Sequence, residues 1–121
     1  MHGLGELEAA VMDVLWDEPE PIKVRDVLDR LDTGRQLAYT TVMTVLDNLH
    51  RKQWVDRELH GKAYLYEATL SREEAAARAV RDVLDASGDP HAVLMHFVAS
   101  GSDEETDTLR NALRKKRIRR R

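Results

Sequence analysis

Apolar residues recur at helical spacing in several segments of the chain, most clearly between positions 38 and 53. Within this segment Val42, Val45, Leu46 and Leu49 fall on one arc, which predicts a helix with a single buried stripe. The other side carries short or basic hydrogen-bonding side chains: Thr40, Thr44, Asp47, Asn48 and Arg51, with Thr41 and Lys52 on its flank. Such a helix, about 24 Å long, could offer its first turns to base edges in a DNA major groove. An ordinary surface helix fits the same pattern, so the surrounding segments decide between the two.

Two further helices are predicted ahead of this one. The first runs from about Gly5 to Asp17, where the prolines at positions 19 and 21 end it, and Ile22 follows in a short extended piece. The second runs from about Lys23 to Asp32 and is closed by Thr33-Gly34. Their apolar faces comprise Leu4, Leu7, Val11, Val14 and Leu15 in the first helix, and Val24, Val27, Leu28 and Leu31 in the second. The second helix and the threonine-rich helix, joined by a brief link, form a helix-turn-helix.

A β-hairpin is predicted directly after the threonine-rich helix. Aromatic and β-branched residues occur in segments 54–59 and 62–68, with His60-Gly61 between them. Three helices followed by a two-stranded hairpin make a winged helix, which we assign to residues 1–69. Arg57 and Lys62 lie on the wing, where they would reach phosphates beside the groove; ordinary strand solubility is the alternative for both.

The C-terminal half is predicted to contain three short helices. Capping boxes at 71–74 and 102–105 start the outer two, and Asp89-Pro90 starts the middle one. Ala76, Ala79, Val80, Val83 and Leu84 form the predicted inward face of the first, and Leu109, Ala112 and Leu113 that of the last. Because such helices bury little apolar area by themselves, residues 70–113 are interpreted as a dimerisation domain. Its predicted contacts are Val80, Val83, Leu84, Leu94, Phe97, Val98, Leu109 and Leu113.

The fold class that follows is mostly α: an N-terminal winged helix-turn-helix with a C-terminal helical dimerisation region. The absence of cysteine excludes disulfides and thiolate metal sites. Neither a long apolar run nor a signal-peptide layout is present, so we expect a cytoplasmic protein that does not insert into the membrane.

Charge is sorted along the chain, although the net charge is only −3. Residues 1–33 carry three basic and nine acidic groups, and residues 67–113 carry four and ten. The middle third, 34–66, carries five basic and three acidic groups, and the tail 114–121 carries seven basic groups and no acidic one. The middle third and the tail are therefore the segments able to face phosphate. The tail is interpreted as a disordered arm on DNA or as a solvated end.

Catalysis and metal binding find no support in the sequence. It contains neither a Gly-rich phosphate loop nor a nucleophile elbow, and His91 and His96 are spaced onto different sides of a helix. We expect no enzymatic activity, no cofactor and no metal. The aromatic residues Trp16, Trp54, Tyr64 and Tyr66 are assigned to core packing in preference to base stacking.

Read together, these segments resemble the BlaI/MecI penicillinase-repressor family of bacterial transcriptional regulators. The residues that carry the resemblance are Glu8, Met12 and Trp16 in the first helix, Tyr39-Thr-Thr-Val-Met-Thr44 with Leu49 and Lys52 in the third, Tyr64 and Tyr66 in the wing, and Val93-Leu-Met-His-Phe-Val98 and Leu109-Arg-Asn-Ala-Leu113 in the C-terminal half. This chain departs from many relatives at Asp47 and Asn48, where basic residues are common, and at Gln53, where glycine is common.

The resemblance implies a homodimeric repressor that binds an inverted-repeat operator on double-stranded DNA. It also implies derepression by proteolysis, started by a membrane-spanning sensor metalloprotease, with the cut matching His96-Phe97. The DNA-binding residues predicted for this chain are Thr40, Thr41, Thr44, Asn48, Arg51, Lys52, Arg57 and Lys62. Two alternatives remain: a winged-helix regulator released by a small-molecule effector, and a winged-helix module that binds protein through its threonine-rich face.

Overall fold

The computed structural model of the 121-residue chain describes residues 3–33 and 36–119. In chain order the elements are α1 (Glu6–Asp17), β1 (Ile22–Lys23), α2 (Val24–Arg30), α3 (Tyr39–Arg51), β2 (Val55–His60), β3 (Ala63–Ala68), α4 (Arg72–Ala86), α5 (Pro90–Ala99) and α6 (Asp103–Arg119). The predicted mostly α fold class is confirmed. The chain divides into two compact units, Met1–Ala79 and Val80–Arg121, which are described separately.

The core of the first unit is built around α3. Val42, Val45, Leu46 and Leu49 are buried, as the apolar arc predicted. They belong to one cluster with buried residues of α1, α2 and the sheet: Val11, Met12, Leu15, Ile22, Val24, Val27, Val55 and Tyr66. Since full burial of one such side chain contributes about 1.5–3 kcal/mol, this cluster fixes which side of α3 faces inward.

Backbone hydrogen bonding and conformation explain where α1 begins and where α2 ends. At the start of α1, the Gly5 N–H donates to Glu8 Oε1 at 2.9 Å, which satisfies a backbone donor that the helix leaves open. Helix α2 ends at Arg30, two residues before its predicted end, because Leu31 is already extended. Gly34, which was predicted to help close α2, lies outside the described residues.

The hairpin is part of a three-stranded antiparallel sheet in the order β1-β3-β2. Strand β1 pairs Ile22 with Tyr66, so the predicted short extended piece becomes a third strand. Between β2 and β3 lies a two-residue turn in which Gly61 has a φ of 64°. Glycine at this first central position is typical of a type II′ hairpin turn.

Helix α4 begins with the predicted capping box. The Glu74 N–H donates to Ser71 Oγ at 3.0 Å, and the Ser71 N–H donates to Glu74 Oε1 at 3.3 Å. Arg72 binds two carboxylates of α1, Asp13 at 2.8 Å and Asp17 at 3.2 Å. Ala75 is buried in this turn and Ala76 is exposed, so the predicted inward face is wrong at Ala76, whereas Ala79 is half-buried and Leu84 is buried.

Two tryptophans pack at the edge of this core, as predicted. Trp16 and Trp54 are both half-buried against the apolar cluster. The Trp16 indole donates its N–H to the backbone oxygen of Leu70 at 2.9 Å. A partly buried indole normally finds such an acceptor, and this bond fixes the chain just before α4.

The second unit keeps much of its apolar surface exposed. Both of its further helix starts follow the predicted caps: Asp89 accepts from the Ala92 N–H at 3.1 Å, and Ser102 accepts from the Glu105 N–H at 3.1 Å. Leu84 is buried within the chain. Among the described residues of this unit, nine other large apolar side chains are exposed: Val80, Val83, Leu94, Met95, Phe97, Val98, Leu109, Leu113 and Ile118. The predicted inward face of α6, Leu109 and Leu113, therefore meets solvent in the single chain.

The basic tail is helical over most of its length. Helix α6 continues to Arg119, so the segment 114–119 is not the disordered arm that charge alone suggested. Cations in the last turn interact favourably with the carboxyl end of a helix dipole, and acidic residues favour its start. Helix α6 has this arrangement, with Asp103, Glu104 and Glu105 in its first turn and Lys116, Arg117 and Arg119 in its last.

Candidate nucleic-acid interface

The outward face of α3 presents hydroxyl groups. Thr40, Thr41 and Thr44 are all exposed, because the valines and leucines of the apolar arc on the other side of the helix are buried. The Thr44 hydroxyl donates to the Thr40 backbone oxygen at 2.9 Å. With its proton engaged in this way, Thr44 offers an oxygen acceptor and a methyl group to a ligand, which suits a base amino group or a thymine methyl.

Two larger side chains on the same helix were missed by the sequence prediction. Tyr39 is 42% exposed and Met43 is 43% exposed. The Arg25 guanidinium of α2 lies 5.4 Å from the centre of the Tyr39 ring, so this cation also borders the start of α3. For Met43 a sequence signal was available, because this position lies outside the apolar arc; Tyr39 lies at the edge of the arc, three residues before Val42, and its exposure could not be read from the spacing.

A carboxylate lies among the cations of this interface. Asp47 pairs with Arg51 at 2.8 Å, one turn further along α3, and with Arg57 of β2 at 3.2 Å. The hydrogen bond from Arg51 is the main cause that lowers the pKa of Asp47, and Arg57 adds to it. Asp47 is therefore ionised, and both arginines predicted to hold DNA are engaged with it.

Arg57 faces α3 because of the strand register. It lies opposite Tyr66, and Leu59 lies opposite Tyr64, so these four side chains share one face of the hairpin. The Arg57 guanidinium lies 4.4 Å from the centre of the Tyr64 ring, a cation–π contact. Tyr66 is buried as predicted, but Tyr64 is 40% exposed, so its assignment to the core is wrong.

A cleft separates the helix from the wing. It has a volume of about 240 Å³ and is lined by Met43, Thr44, Asp47, Arg57, Tyr64 and Tyr66. Its walls combine a thioether, two aromatic rings and charged groups, and it opens beside the hydroxyl-bearing face of α3. The ion pair of Asp47 and Arg57 crosses this cleft and joins α3 to β2.

The remaining predicted DNA contacts occupy three different environments. Lys52 pairs with Glu8 of α1 at 2.8 Å, so it connects the end of α3 to the first helix. Asn48 is half-buried at the edge of the α3 face. Lys62 is exposed in the hairpin turn, and within the described part of the chain it has no ion-pair partner.

Two other features are absent from the described part of the chain. Across residues 3–33 and 36–119 there is no group of three or more His, Asp or Glu side chains placed to hold a metal ion. In the same ranges, no helix is long and apolar enough to span a membrane. The hydroxyl-rich face of α3 and the adjoining wing remain the best-defined functional surface.

Comparison with known proteins places this architecture among regulators. The chain is 44% identical over 113 residues to the transcriptional regulator BlaI of Mycobacterium tuberculosis, covering 91% of this chain and 82% of that protein. It is 20% identical over 119 residues to the methicillin resistance regulatory protein MecI of Mammaliicoccus sciuri, covering 95% and 96%.

Solved structures show the same fold at low identity. A mutant of Staphylococcus aureus MepR, bound to an oligodeoxyribonucleotide, has a TM-score of 0.51 and 17% identity, covering 98% of this chain and 80% of that one. A MarR family protein from Bacillus stearothermophilus has a TM-score of 0.52 and 17% identity, covering 98% and 76%.

The sequence profile of the penicillinase repressor family matches residues 4–115, nearly the whole chain. This match agrees with the resemblance carried by α1, α3, the wing and the C-terminal helices. The chain therefore belongs to the penicillinase repressor family of winged-helix transcriptional regulators, a family of DNA-binding proteins and not of enzymes.

Proposed function

We propose that this protein is a homodimeric repressor that places α3 in the major groove of an inverted-repeat operator. The observation that supports the proposal most is the outward orientation of the α3 hydroxyls, which the buried stripe of the same helix enforces. In this role Thr40, Thr41 and Thr44 read base edges or bind the flanking backbone. Arg51 and the turn residue Lys62 bind phosphate.

Dimerisation is proposed through the second unit. A stable dimer needs an apolar surface with few charges at its centre, and α5 provides one: Leu94, Met95, Phe97 and Val98 are all at least 42% exposed. Val80 and Val83 of α4 and Leu109 and Leu113 of α6 are also exposed and are proposed as further dimer contacts. Leu84, also predicted as a dimer contact, is already buried within the chain, so it offers little surface to a partner.

Derepression by proteolysis is proposed at His96-Phe97. Both side chains are exposed, and among the described residues of α5 none is buried. Because Phe97 is also a proposed dimer contact, the protease would cut when α5 leaves its partner, and few buried contacts within the single chain then oppose unwinding of the helix. A cut there would separate α6 from the rest of the dimerisation surface. Two half-sites bound as one unit bind far more tightly than each alone, so loss of the dimer would release the operator.

The DNA-binding proposal can be tested without knowing the operator. Purified protein is used to select duplexes from a random-sequence library, and the selected duplex and a scrambled version are then titrated by fluorescence anisotropy at several salt concentrations. We expect an inverted repeat in the selected sequence, two chains per duplex, and affinity that falls with salt. Failure to retain any duplex at low salt would contradict the proposal and favour the protein-binding module.

Two variants assign the roles of α3 residues in the same assay. Arg51→Ala should weaken binding to the selected and the scrambled duplex alike, because phosphate contacts carry no sequence information. Thr44→Ala should mainly weaken binding to the selected duplex and change the base preference, by about 1–3 kcal/mol for one lost base contact. Equal effects of both variants on both duplexes would contradict these assignments.

The effector alternative differs in how the protein leaves DNA. Under the proteolytic mechanism, induced cells should contain a fragment ending near His96. An intact chain that dissociates from the operator on induction would instead favour release by a small molecule.

A further inference from the structure

The acidic side chain of the recognition helix occupies the donors that DNA would need. Asp47 Oδ2 lies 2.8 Å from Arg51 Nη2, and Asp47 Oδ1 lies 3.2 Å from Arg57 Nη1. Guanidinium groups bind carboxylate and phosphate oxygens with the same hydrogen-bond geometry. The carboxylate therefore takes the place that a phosphate oxygen would occupy against these cations.

The two arginines differ in how firmly they are held. The Arg51 side chain is 71% exposed, and its only ion-pair partner in the described structure is Asp47. Such an exposed pair stabilises little, so an incoming phosphate can displace Asp47 from Arg51. The Arg57 side chain is 26% exposed and also stacks on Tyr64, so it keeps its position when Asp47 is displaced.

We propose that Asp47 acts as an internal competitor for DNA phosphate, which limits the affinity of the recognition helix by occupying Arg51. This inference rests on the proposed DNA-binding function and assigns a role within it to a residue that carries the wrong charge for DNA contact. In the free protein, Asp47 pairs with Arg51. On DNA, Arg51 turns to a phosphate. The exposed carboxylate of Asp47 then remains close to the DNA phosphates and repels them.

The electrostatic consequence can be expressed as a change in salt dependence. Each cation that neutralises a phosphate contributes about −0.9 to the slope of log affinity against log salt concentration on duplex DNA. Asp47 opposes the equivalent of one such cation. Measured from 1 M salt, where this counterion contribution vanishes, to 0.1 M salt, one additional neutralised phosphate corresponds to about an 8-fold gain in affinity. Removing the Asp47 charge should therefore tighten binding and increase its sensitivity to salt.

The test compares two variants that change the net charge equally. Asp47→Asn removes the proposed competitor, whereas Asp85→Asn removes an exposed carboxylate of α4 for which the described structure gives no ion pair. On the scrambled duplex at 0.1 M salt, Asp47→Asn should bind about 8-fold more tightly, with a slope steeper by about 0.9. Asp85→Asn should show a clearly smaller gain. Equal gains for the two variants, or weaker binding by Asp47→Asn, would overturn the proposal.

A double-mutant cycle separates competition from a general charge effect. Arg51→Gln should reduce affinity more in the Asp47→Asn background than in the wild-type background, since only there is Arg51 free of its competitor. Equal losses in both backgrounds would also overturn the inference.

Asp47→Ala provides a second variant, because alanine suits an exposed helix position. If the wild-type chain binds no duplex, the proposed function fails; if the wild type binds and the cycle shows no coupling, only the role of Asp47 fails.

Discussion

Gln53 holds a backbone conformation that glycine adopts at lower cost. Its φ is 67°, directly after the last residues of α3. The Gln53 N–H donates to the His50 oxygen at 3.0 Å, and the Trp54 N–H donates to the Leu49 oxygen at 2.9 Å. This pair of bonds is the Schellman motif, which usually has glycine at the left-handed position. Gln53 therefore occupies a position whose backbone conformation favours glycine.

Gln53→Gly is expected to stabilise the protein. The left-handed conformation costs a residue with a Cβ about 1–2 kcal/mol, which glycine avoids. Glycine also loses more chain entropy on folding, and this offsets about 0.5–1 kcal/mol of the stabilisation. We expect a net stabilisation of about 0.5–1 kcal/mol and a rise of a few degrees in Tm, measured by circular dichroism. Gln53→Ala is the matched control, since it keeps the Cβ; an equal rise with alanine would contradict the explanation.

Glu8 links the start of α1 to the end of α3. Partial burial raises the pKa of its carboxyl, but the hydrogen bonds from Lys52 and the Gly5 N–H outweigh this and lower the pKa below its ordinary value of 4.5. A carboxyl with a lowered pKa in the folded state stabilises the fold above its unfolded pKa. That contribution is lost as the pH falls through the folded pKa.

Glu8→Gln should therefore destabilise the protein at pH 7, by about 1 kcal/mol for a partly exposed pair. The difference from the wild type should shrink as the pH falls below about 4.5, where the wild-type carboxyl also becomes neutral. Urea unfolding at pH 7 and at pH 3.5 measures both values. Lys52→Gln is the companion variant, and its destabilisation should shrink over the same pH range. A difference that stays constant with pH would show that the ion pair contributes nothing.

At the scale of whole elements, periodicity predicted those that bury a single apolar stripe. The burial of Val42, Val45, Leu46 and Leu49 followed directly from their spacing, and the two capping boxes marked the starts of α4 and α6. Strand β1 could not be predicted in this way because two residues have no measurable period. It exists because β3 offers an open edge to Ile22.

Other errors arose where a partner from elsewhere in the chain decides the outcome. Tyr64 belongs to an alternating strand, but it lies toward the hairpin tip, beyond the reach of the core, and Arg57 covers its ring instead. The pairing of Asp47 with Arg51 was foreseeable from their spacing of four residues. The second pair, with Arg57, was not, because it depends on how the wing returns to α3. Ala76 was placed on the inward face of α4 but is exposed; the exposure of Val80 and Val83 in the single chain leaves their prediction as dimer contacts untested.

At the scale of the whole molecule, the charge of the tail is the feature with the least explained role. Residues 114–121 carry seven cations, and the family profile ends at residue 115. Along the described part of this segment, the side chains are exposed and have no ion-pair partner among the described residues. Because α6 continues to Arg119, the cations at 114–117 and 119 lie close together on one helix. This raises the local positive charge density and the attraction for a polyanion.

Removal of the tail charge should weaken binding to DNA of any sequence. Replacing the basic residues at 114–117 and 119 with glutamine keeps the length and helical propensity of α6 while removing five charges. If three of them neutralise phosphates, the salt slope should flatten by about 2.7, with equal loss of affinity for selected and scrambled duplexes. Thermal stability should change little, because these side chains are exposed.

The control replaces Ile118 with serine, which preserves the charge and should preserve the slope. If the glutamine variant keeps the wild-type slope, the tail is a solvated end; if the Ile118→Ser variant flattens it as much, an apolar contact and not charge explains the contribution of the tail.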